Sequence, residues 1–341
     1  MGTLKIGSAS NRAGVTIEPS TVLFNGDNVK YIKNGLIEIW TSLKPLVPIM
    51  TSDTTPSGEA FASSVYDNIH RAWKAFNGTN KDSDDCWHIS GTNTSGYIGY
   101  KFTIPTCVES FSVTNRNKDN NIQAPKTIQL QGSNDNSTWV NIGGQFTNPD
   151  GSNVTTNFTV NNKTAYLNYR LNIIDSHTAT LAIGMLQFYG TQLKALVPPM
   201  TSNTTPSGEA FASSEYSSSA AAWCAFDGDD TTHWYSNDAK NTTFANIYIG
   251  YKFVKATKCN VAYIKTKTDV SSITFTIQGS NDGSEWSDLT EELTINAPID
   301  NFIMFNNDNY YKMYKFNIIS QKLSTASASS GGRILTLQFY K

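Results

Sequence analysis

Apolar and polar positions alternate along much of this chain in short runs bounded by turn residues. KTIQLQG (126–132) and SITFTIQG (272–279) have a period of two, the pattern of a strand with one buried face. Clusters of Asn, Ser, Thr, Gly and Asp punctuate these runs, and long helix-compatible stretches are scarce. The pattern predicts an all-β protein of short strands, a sandwich or barrel. The first hairpin signal is VKYIKNGLIEIW (29–40). Val29, Tyr31 and Ile39 alternate with polar neighbours around Asn34-Gly35, and both turn residues tolerate the positive φ of a type I′ turn. An isolated two-stranded hairpin is marginal in water, so this one needs a partner surface.

Larger blocks of the pattern occur twice. TSLKPLVPIMTSDTTPSGEAFASS (41–64) returns as TQLKALVPPMTSNTTPSGEAFASS (191–214), and AWKAFNG (72–78) returns as AWCAFDG (222–228). YIGYKF recurs at 97–102 and 248–253, QGSNDNSTW (131–139) pairs with QGSNDGSEW (278–286), and LQFYG (186–190) with LQFYK (337–341). Solenoid repeats have periods of about 20 to 50 residues, so this far longer spacing marks a tandem domain. The expected organisation is an N-terminal β module over 1–44, a first sandwich over 45–190 and a second over 191–341. Two or three domains are also what 341 residues predict.

Composition narrows the function. The net charge is −2 and Lys and Arg are scattered, which argues against a nucleic-acid binder. No apolar run approaches the ~20 residues that span a bilayer, so no membrane insertion is expected. The opening MGTLKIGSASNRAG lacks the apolar core of a signal peptide. NxS/T triplets at Asn93, Asn136, Asn153, Asn157, Asn162, Asn203 and Asn241 are what chance gives in so Asn- and Thr-rich a chain. Cys86, Cys107, Cys224 and Cys259 are expected to be reduced and mostly buried. His70, His88, His177 and His233 show no metal-ligand spacing, and no GxSxG elbow occurs. Glu59 and Glu209 repeat, but neither has an evident second carboxylate to pair with. The chain is therefore expected not to be an enzyme.

The repeated blocks, PSGEAFASS, AWxAFDGDDTTHW, YIGYKF, QGSNDGSEW and a closing aromatic strand, resemble the discoidin domain. This is also called the coagulation-factor type C domain and is related to galactose-binding modules. The resemblance implies two tandem eight-stranded antiparallel jelly-roll β-sandwiches whose loops at one end bind ligand. It places Arg116 and Asn121, in TNRNKDNNIQAP (114–125), where relatives direct an Arg and an Asn at a galactose-like ring. Trp87 and His88 lie in the neighbouring loop. In the second domain Lys267 is the only substitute for the Arg, and Tyr235 beside Trp234 is the expected stacking face. A sugar offers an apolar face and a rim of hydroxyls, so an aromatic beside a few polar groups suits it. The competing reading is a solvated Arg116 and purely packing roles for Trp87 and Trp234. Trp73, Trp139, Trp223 and Trp286 sit in framework blocks and read as core or near-core.

The resemblance also implies a structural calcium in the loop AFDGDDTTHW (225–234), held by Asp227, Asp229 and Thr232 and completed from the last strand, where Gln338 stands. Calcium takes six to eight oxygens, which such a loop can partly supply. An Asx-rich turn that caps itself is the alternative. The first copy, AFNGTNKDSDDCW (75–87), has Asn77 in place of the Asp and three inserted residues.

Residues 1–40 are similar, more loosely, to short leaders of phage tail and baseplate proteins of Gram-positive hosts. On that resemblance the hairpin, with Tyr31, Asn34, Gly35 and Ile39, is an anchor onto other virion proteins or onto copies of itself in a homo-oligomer. The expected protein is a virion component assembled in the host cytoplasm. It would adhere to bacterial surface carbohydrate through the loop ends of both sandwiches. Weak single sites would gain avidity of roughly 10²–10⁴ from multiple copies. The rival expectations are a purely architectural virion protein and a binding accessory of a secreted glycosidase. Phospholipid binding ranks last, because the loops are Asn, Asp, Ser and Thr rather than apolar spikes.

Overall fold

The computed structural model describes residues 23–24, 27–28, 44–120, 122–237, 247–297, 299–324 and 332–341. The hairpin residues Tyr31, Asn34, Gly35 and Ile39 lie outside the described residues, as does Asn121. Ahead of the first sandwich, Leu23–Phe24 pairs with Asp27–Asn28. The chain divides into two compact units, residues 1–192 and 193–341. Both are all-β, and among the described residues the remaining regular structure is short 3₁₀ turns such as Ala72–Phe76 and Ala222–Ala225.

In the first unit eight strands join into one antiparallel hydrogen-bonded system. Its spine is the 19-residue strand Gly96–Thr114. The first half of that strand pairs with Glu59–Ala62 and Tyr166–Ser176, and the second half with Met185–Gln192 and Thr155–Thr159. The two halves thus belong to the two layers of the sandwich, and the strand bends between them at Pro105, where pairing to Tyr166–Ser176 slips register. Pro125–Ser133 and Val140–Thr147 extend the first layer. Ile98, Tyr100, Phe111, Tyr169, Leu171 and Phe188 fill the space between.

The second unit repeats this plan with the spine cut in two, Ile247–Thr257 and Val261–Lys265. The first piece pairs with Glu209–Ala212 and Tyr311–Leu323, and the second with Asp300–Met304 and Thr336–Tyr340. Phe275, Tyr314, Phe316 and Phe339 form the core beside Ile249 and Tyr251. Alternation predicts these inward residues, because successive side chains of a strand face opposite ways.

At the bend a buried tyrosine closes each unit. Tyr169 Oη donates to Thr106 O at 2.6 Å and accepts from Val108 N at 3.2 Å. Tyr314 Oη does the same with Thr257 O at 2.7 Å and Cys259 N at 3.2 Å. Burial pushes both hydroxyls well above the usual tyrosine range, so they remain protonated donors.

Two framework tryptophans differ from expectation. Trp139 and Trp286 are half-buried and cover a cation on the sheet surface instead of entering the core: Arg170 lies 4.1 Å from the Trp139 ring, Lys315 3.9 Å from Trp286. Trp73 and Trp223 are half-buried and pack against the cores. All four cysteines are buried and free, and burial pushes the Cys86 and Cys259 thiols up to about 12.

Removing one corner hydroxyl leaves two strand groups of the bend without their partner. Tyr169→Phe is expected to cost about 1–3 kcal/mol in denaturant unfolding, with the second unit's transition unchanged. A loss below a few tenths of a kcal/mol would show that the bend is held by packing alone.

Candidate ligand-binding site

One end of the first unit is built by three segments: 63–71, 77–88 and the loop that follows Thr114. Trp87 anchors them. Its side chain is 0 % exposed, and its Nε1 donates to Ser64 O at 2.9 Å. In the two-residue strand Trp87–His88 the indole therefore points into the core, and the alternation sends His88 to the other face. Trp87 is a packing residue and not a stacking face, which corrects the sequence expectation. Trp234 is the same: 0 % exposed, with Nε1 on Ser214 O at 3.0 Å. A ring with no exposed surface cannot meet a ligand.

His88 is 7 % exposed, yet among the described residues neither ring nitrogen has a hydrogen-bond partner. Gln123 is near enough to influence it but makes no bond of normal geometry to it. Beside it sits His70, 6 % exposed, with ring centroids 5.8 Å apart. His70 Nδ1 lies 2.8 Å from Asp67 Oδ1, while its Nε2 is unpartnered, with the Asp84 carboxylate 3.7 Å away. Tyr66 stands edge-on to both imidazoles, at 4.9 Å from His88 and 5.9 Å from His70, and is itself 59 % exposed.

Arg116 enters from the loop after Thr114 and is also buried. Its Nε donates to Ser83 O at 2.5 Å, its Nη1 donates to Gln123 Oε1, and its Nη2 lies 3.7 Å from Asp84 Oδ1. Gln123 holds a left-handed φ of 65°, which costs a non-glycine residue about 1–2 kcal/mol. Its carbonyl accepts from Ala182 N at 2.7 Å, fixing that backbone. The loop rests on buried amides: Asn115 Nδ2 donates to Pro149 O and Gly151 O, both at 2.9 Å, and Asn148 Nδ2 to Asn115 Oδ1 at 2.9 Å. So the structure brings His88 and Arg116 together and adds Tyr66, His70 and Gln123, which the sequence reading missed. Tyr66 had a signal, because SSVY (63–66) returns as SSEY (213–216). His70 had none, since only folding brings it near Arg116; Gln123 stands seven residues after Arg116 in the same loop, but no motif marked it.

The second unit arranges other residues at the corresponding end. Tyr235 pairs across strands with Arg333, whose guanidinium lies 4.6 Å from the ring centre and forms an ion pair with Asp269. Tyr216, 60 % exposed, lies 5.1 Å from Tyr235. The arginine missing beside Lys267 is thus supplied from the opposite strand, which no local motif could reveal. Burial first, then the charges of Lys267 and Arg333, holds the His233 imidazole below its usual range.

The loop expected to hold calcium differs between the two units in how its oxygens are satisfied. There Thr232 Oγ1 lies 2.5 Å from Asp227 Oδ2, 3.0 Å from Asp229 O and 3.2 Å from Cys224 O. One hydroxyl proton cannot serve three acceptors, so the loop has a surplus of oxygen lone pairs. These oxygens come from one carboxylate, a hydroxyl and two carbonyls. Among the described residues, no group of three acidic, His or Cys side chains could hold a metal ion. Gln338 is not among the loop's oxygens, another correction: its Oε1 accepts from Val197 N at 2.9 Å and Phe339 N at 3.0 Å, and its Nε2 donates to Val197 O. Thr336 reaches the loop instead, donating to Asp230 Oδ1 at 3.0 Å. In the first unit Asp85 stands where Thr232 does and is filled by donors: Asn77 Nδ2 at 2.6 Å, Thr79 Oγ1 at 2.7 Å and Lys81 N at 3.1 Å. Lys74 Nζ adds a positive charge at 3.7 Å. A cation does not fit there.

Comparison with known proteins agrees with the architecture. Residues 59–182 match the F5/8 type C domain family. No curated protein matches the chain. Among solved structures, a fucolectin from striped bass (Morone saxatilis) serum is similar at 14 % identity and TM-score 0.35, over 83 % of this chain and 95 % of that one. The family 32 carbohydrate-binding module of Clostridium perfringens NanJ, solved in complex with galactose, is 18 % identical at TM-score 0.34, over 39 % of this chain and 93 % of that one. The CBM32-1 and CBM32-2 domains of C. perfringens ZmpB, in complex with GalNAc, are 10 % identical at TM-score 0.34, covering 83 % and 89 %.

Burial, then the Arg116 charge, pushes His88 down to about 4 from an ordinary 6.5. Above pH 6.5 the imidazole is neutral folded or unfolded and has no effect. Between 6.5 and 4 the unfolded chain takes up a proton that the folded chain refuses, so stability falls as pH drops. The expected loss is on the order of 2 kcal/mol for the first unit by pH 4, and His88→Asn should remove most of that slope. Equal pH slopes in the two proteins would contradict a buried neutral His88.

Proposed function

We propose that this chain is a non-enzymatic adhesion protein that binds a galactose-type surface carbohydrate through the loop end of its first unit. The observation that carries the reading is the buried group of Arg116, His88 and His70. Its unsatisfied imidazole nitrogens lie beneath an exposed tyrosine. A buried polar atom without a partner costs about 1–3 kcal/mol, and a ligand rich in hydroxyls recovers that cost. The geometry divides the tasks. The Tyr66 ring offers an apolar surface to the CH face of a sugar, Arg116 donates to ring oxygens, and the imidazoles exchange hydrogen bonds with hydroxyls. The F5/8 type C match of residues 59–182 supports a binding role for the first unit.

The second unit, with Tyr216, Tyr235 and Arg333, takes a different ligand or a lesser share, since an aromatic replaces His88 and Ala220 stands where His70 does. Calcium is proposed only at 224–232, where it would hold the loop closed without touching a ligand. Residues 1–44 are proposed to attach the chain to a phage tail, baseplate or capsid. Copies there would make weak sites adhere collectively to a bacterial envelope. The leader's sequence and its hairpin pattern support that attachment.

The test is binding of the full chain to a glycan array and to Gram-positive cell walls. Arg116→Ala is expected to lower affinity by about 10- to 100-fold, the worth of a charged hydrogen bond. Arg116→Lys should recover only part, because the forked geometry is lost. Undiminished binding by Arg116→Ala, or no binding by the wild type to any glycan or wall, would overturn the reading. Separately, calcium should raise the melting temperature of the second unit by several degrees and leave the first unmoved. Asp227→Ala should abolish that effect. Equal shifts in both transitions, or none, would remove calcium from the account.

A further inference from the structure

The loop end of the first unit contains an element that goes beyond a generic sugar site. His70 Nδ1 faces Asp67 Oδ1 at 2.8 Å, and Asp67 Oδ1 also accepts the backbone N–H groups of Ile69 at 2.9 Å and His70 at 3.0 Å. A carboxylate only accepts, so a hydrogen sits on Nδ1, and in the neutral ring Nε2 is then a bare lone pair. That nitrogen is buried and unpartnered beside His88. The polar group 3.7 Å from it, the Asp84 carboxylate, is another acceptor and cannot satisfy it while the ring is neutral.

We propose that the Asp67–His70 couple is the specificity-determining element of this site, fixing an acceptor that only a ligand group carrying a hydrogen, a ring hydroxyl of the sugar, can satisfy. This rests on the carbohydrate reading above and adds to it the identity of one recognition contact. Asp67 is a positioning residue: it never meets the ligand and acts by setting the tautomer and angle of His70. His70 is the contact. Arg116 supplies donors to the ligand and His70 supplies an acceptor, so the two read opposite properties of neighbouring hydroxyls. The second unit has Ser217 and Ala220 at these positions and cannot make this selection.

A site built to hydrogen-bond a hydroxyl rejects the analogue that lacks it, because its own buried atom then remains unpaired. The probes are methyl β-galactoside and its 2-, 3-, 4- and 6-deoxy forms, titrated calorimetrically into the full-length protein. Wild type is expected to lose about tenfold or more in affinity for at least one deoxy form. In His70→Ala that one penalty should collapse to less than about twofold, while penalties at positions read by Arg116 persist. His70→Gln, whose amide oxygen can occupy the place of Nε2, should restore part of it, and thermal melting confirms that each variant is folded. If wild type binds the galactoside but no deoxy penalty changes in His70→Ala, this inference is overturned and the carbohydrate reading stands. If wild type binds no galactoside at all, both fall.

Discussion

The candidate binding end of each unit hangs on a tryptophan with no exposed surface. Trp87 and Trp234 each lock an indole N–H onto the carbonyl of a serine that ends the repeated PSGEAFASS block, Ser64 and Ser214. That single bond and the burial of the ring join two loops that are otherwise polar and short of apolar contacts. A buried indole of this size contributes more apolar area than any other side chain at that end. Once it is fixed, strand alternation decides which neighbour faces away from the core: His88 in the first unit, Tyr235 in the second. The same tether therefore presents different chemistry from one framework.

The duplicated units illustrate how a site diverges without disturbing its scaffold. In the first unit the pair Asn77 and Asp85 replaces Asp227 and Thr232, so the carboxylate moves from one side of the loop to the other. In one unit it is satisfied by donors, in the other oxygens outnumber protons. Arg116 comes from the loop after the spine strand, whereas Arg333 reaches Tyr235 from the opposite strand. The arginine moved and the fold did not. Cross-strand register places both positions over the same end, which is why either can serve.

Much of this architecture was legible in the residues. The period-two runs, the turn clusters and the 150-residue self-similarity are local or repetitive signals, and they led to antiparallel strands in repeated units. Arg116 and His88 were also reachable, through the resemblance of their loops to a known domain. Trp87 and Trp234 were left as candidates for either packing or sugar contact because a repeated aromatic looks the same in sequence whether it packs or stacks; only its rotation in a two-residue strand decides. Gln338 was misassigned because proximity along the last strand says nothing of which side chain turns toward the loop. His70 and Arg333 were missed because each acts across long chain separations, where no spacing rule applies; Gln123 lies in the Arg116 loop itself, but composition does not mark which of that loop's amides turns toward the guanidinium. Asn115 and Asn148, which in the sequence are simply part of the turn composition, are the loop's internal hydrogen-bonding frame.

The central claim is that a buried, unsatisfied imidazole pair under Tyr66 is a ligand-binding surface and not merely tolerated strain. Long-range ¹H–¹⁵N correlation spectra of the histidine rings, recorded while methyl β-galactoside is titrated into the full-length protein, test it directly. The account predicts that the free protein shows a neutral His70 with its hydrogen on Nδ1. It also predicts that the Nε2 resonance of His70 and a ring nitrogen of His88 shift saturably, with His177 and His233 unmoved. Ring resonances of His70 and His88 that stay fixed at saturating galactoside, or a His70 hydrogen found on Nε2 in the free protein, would contradict it.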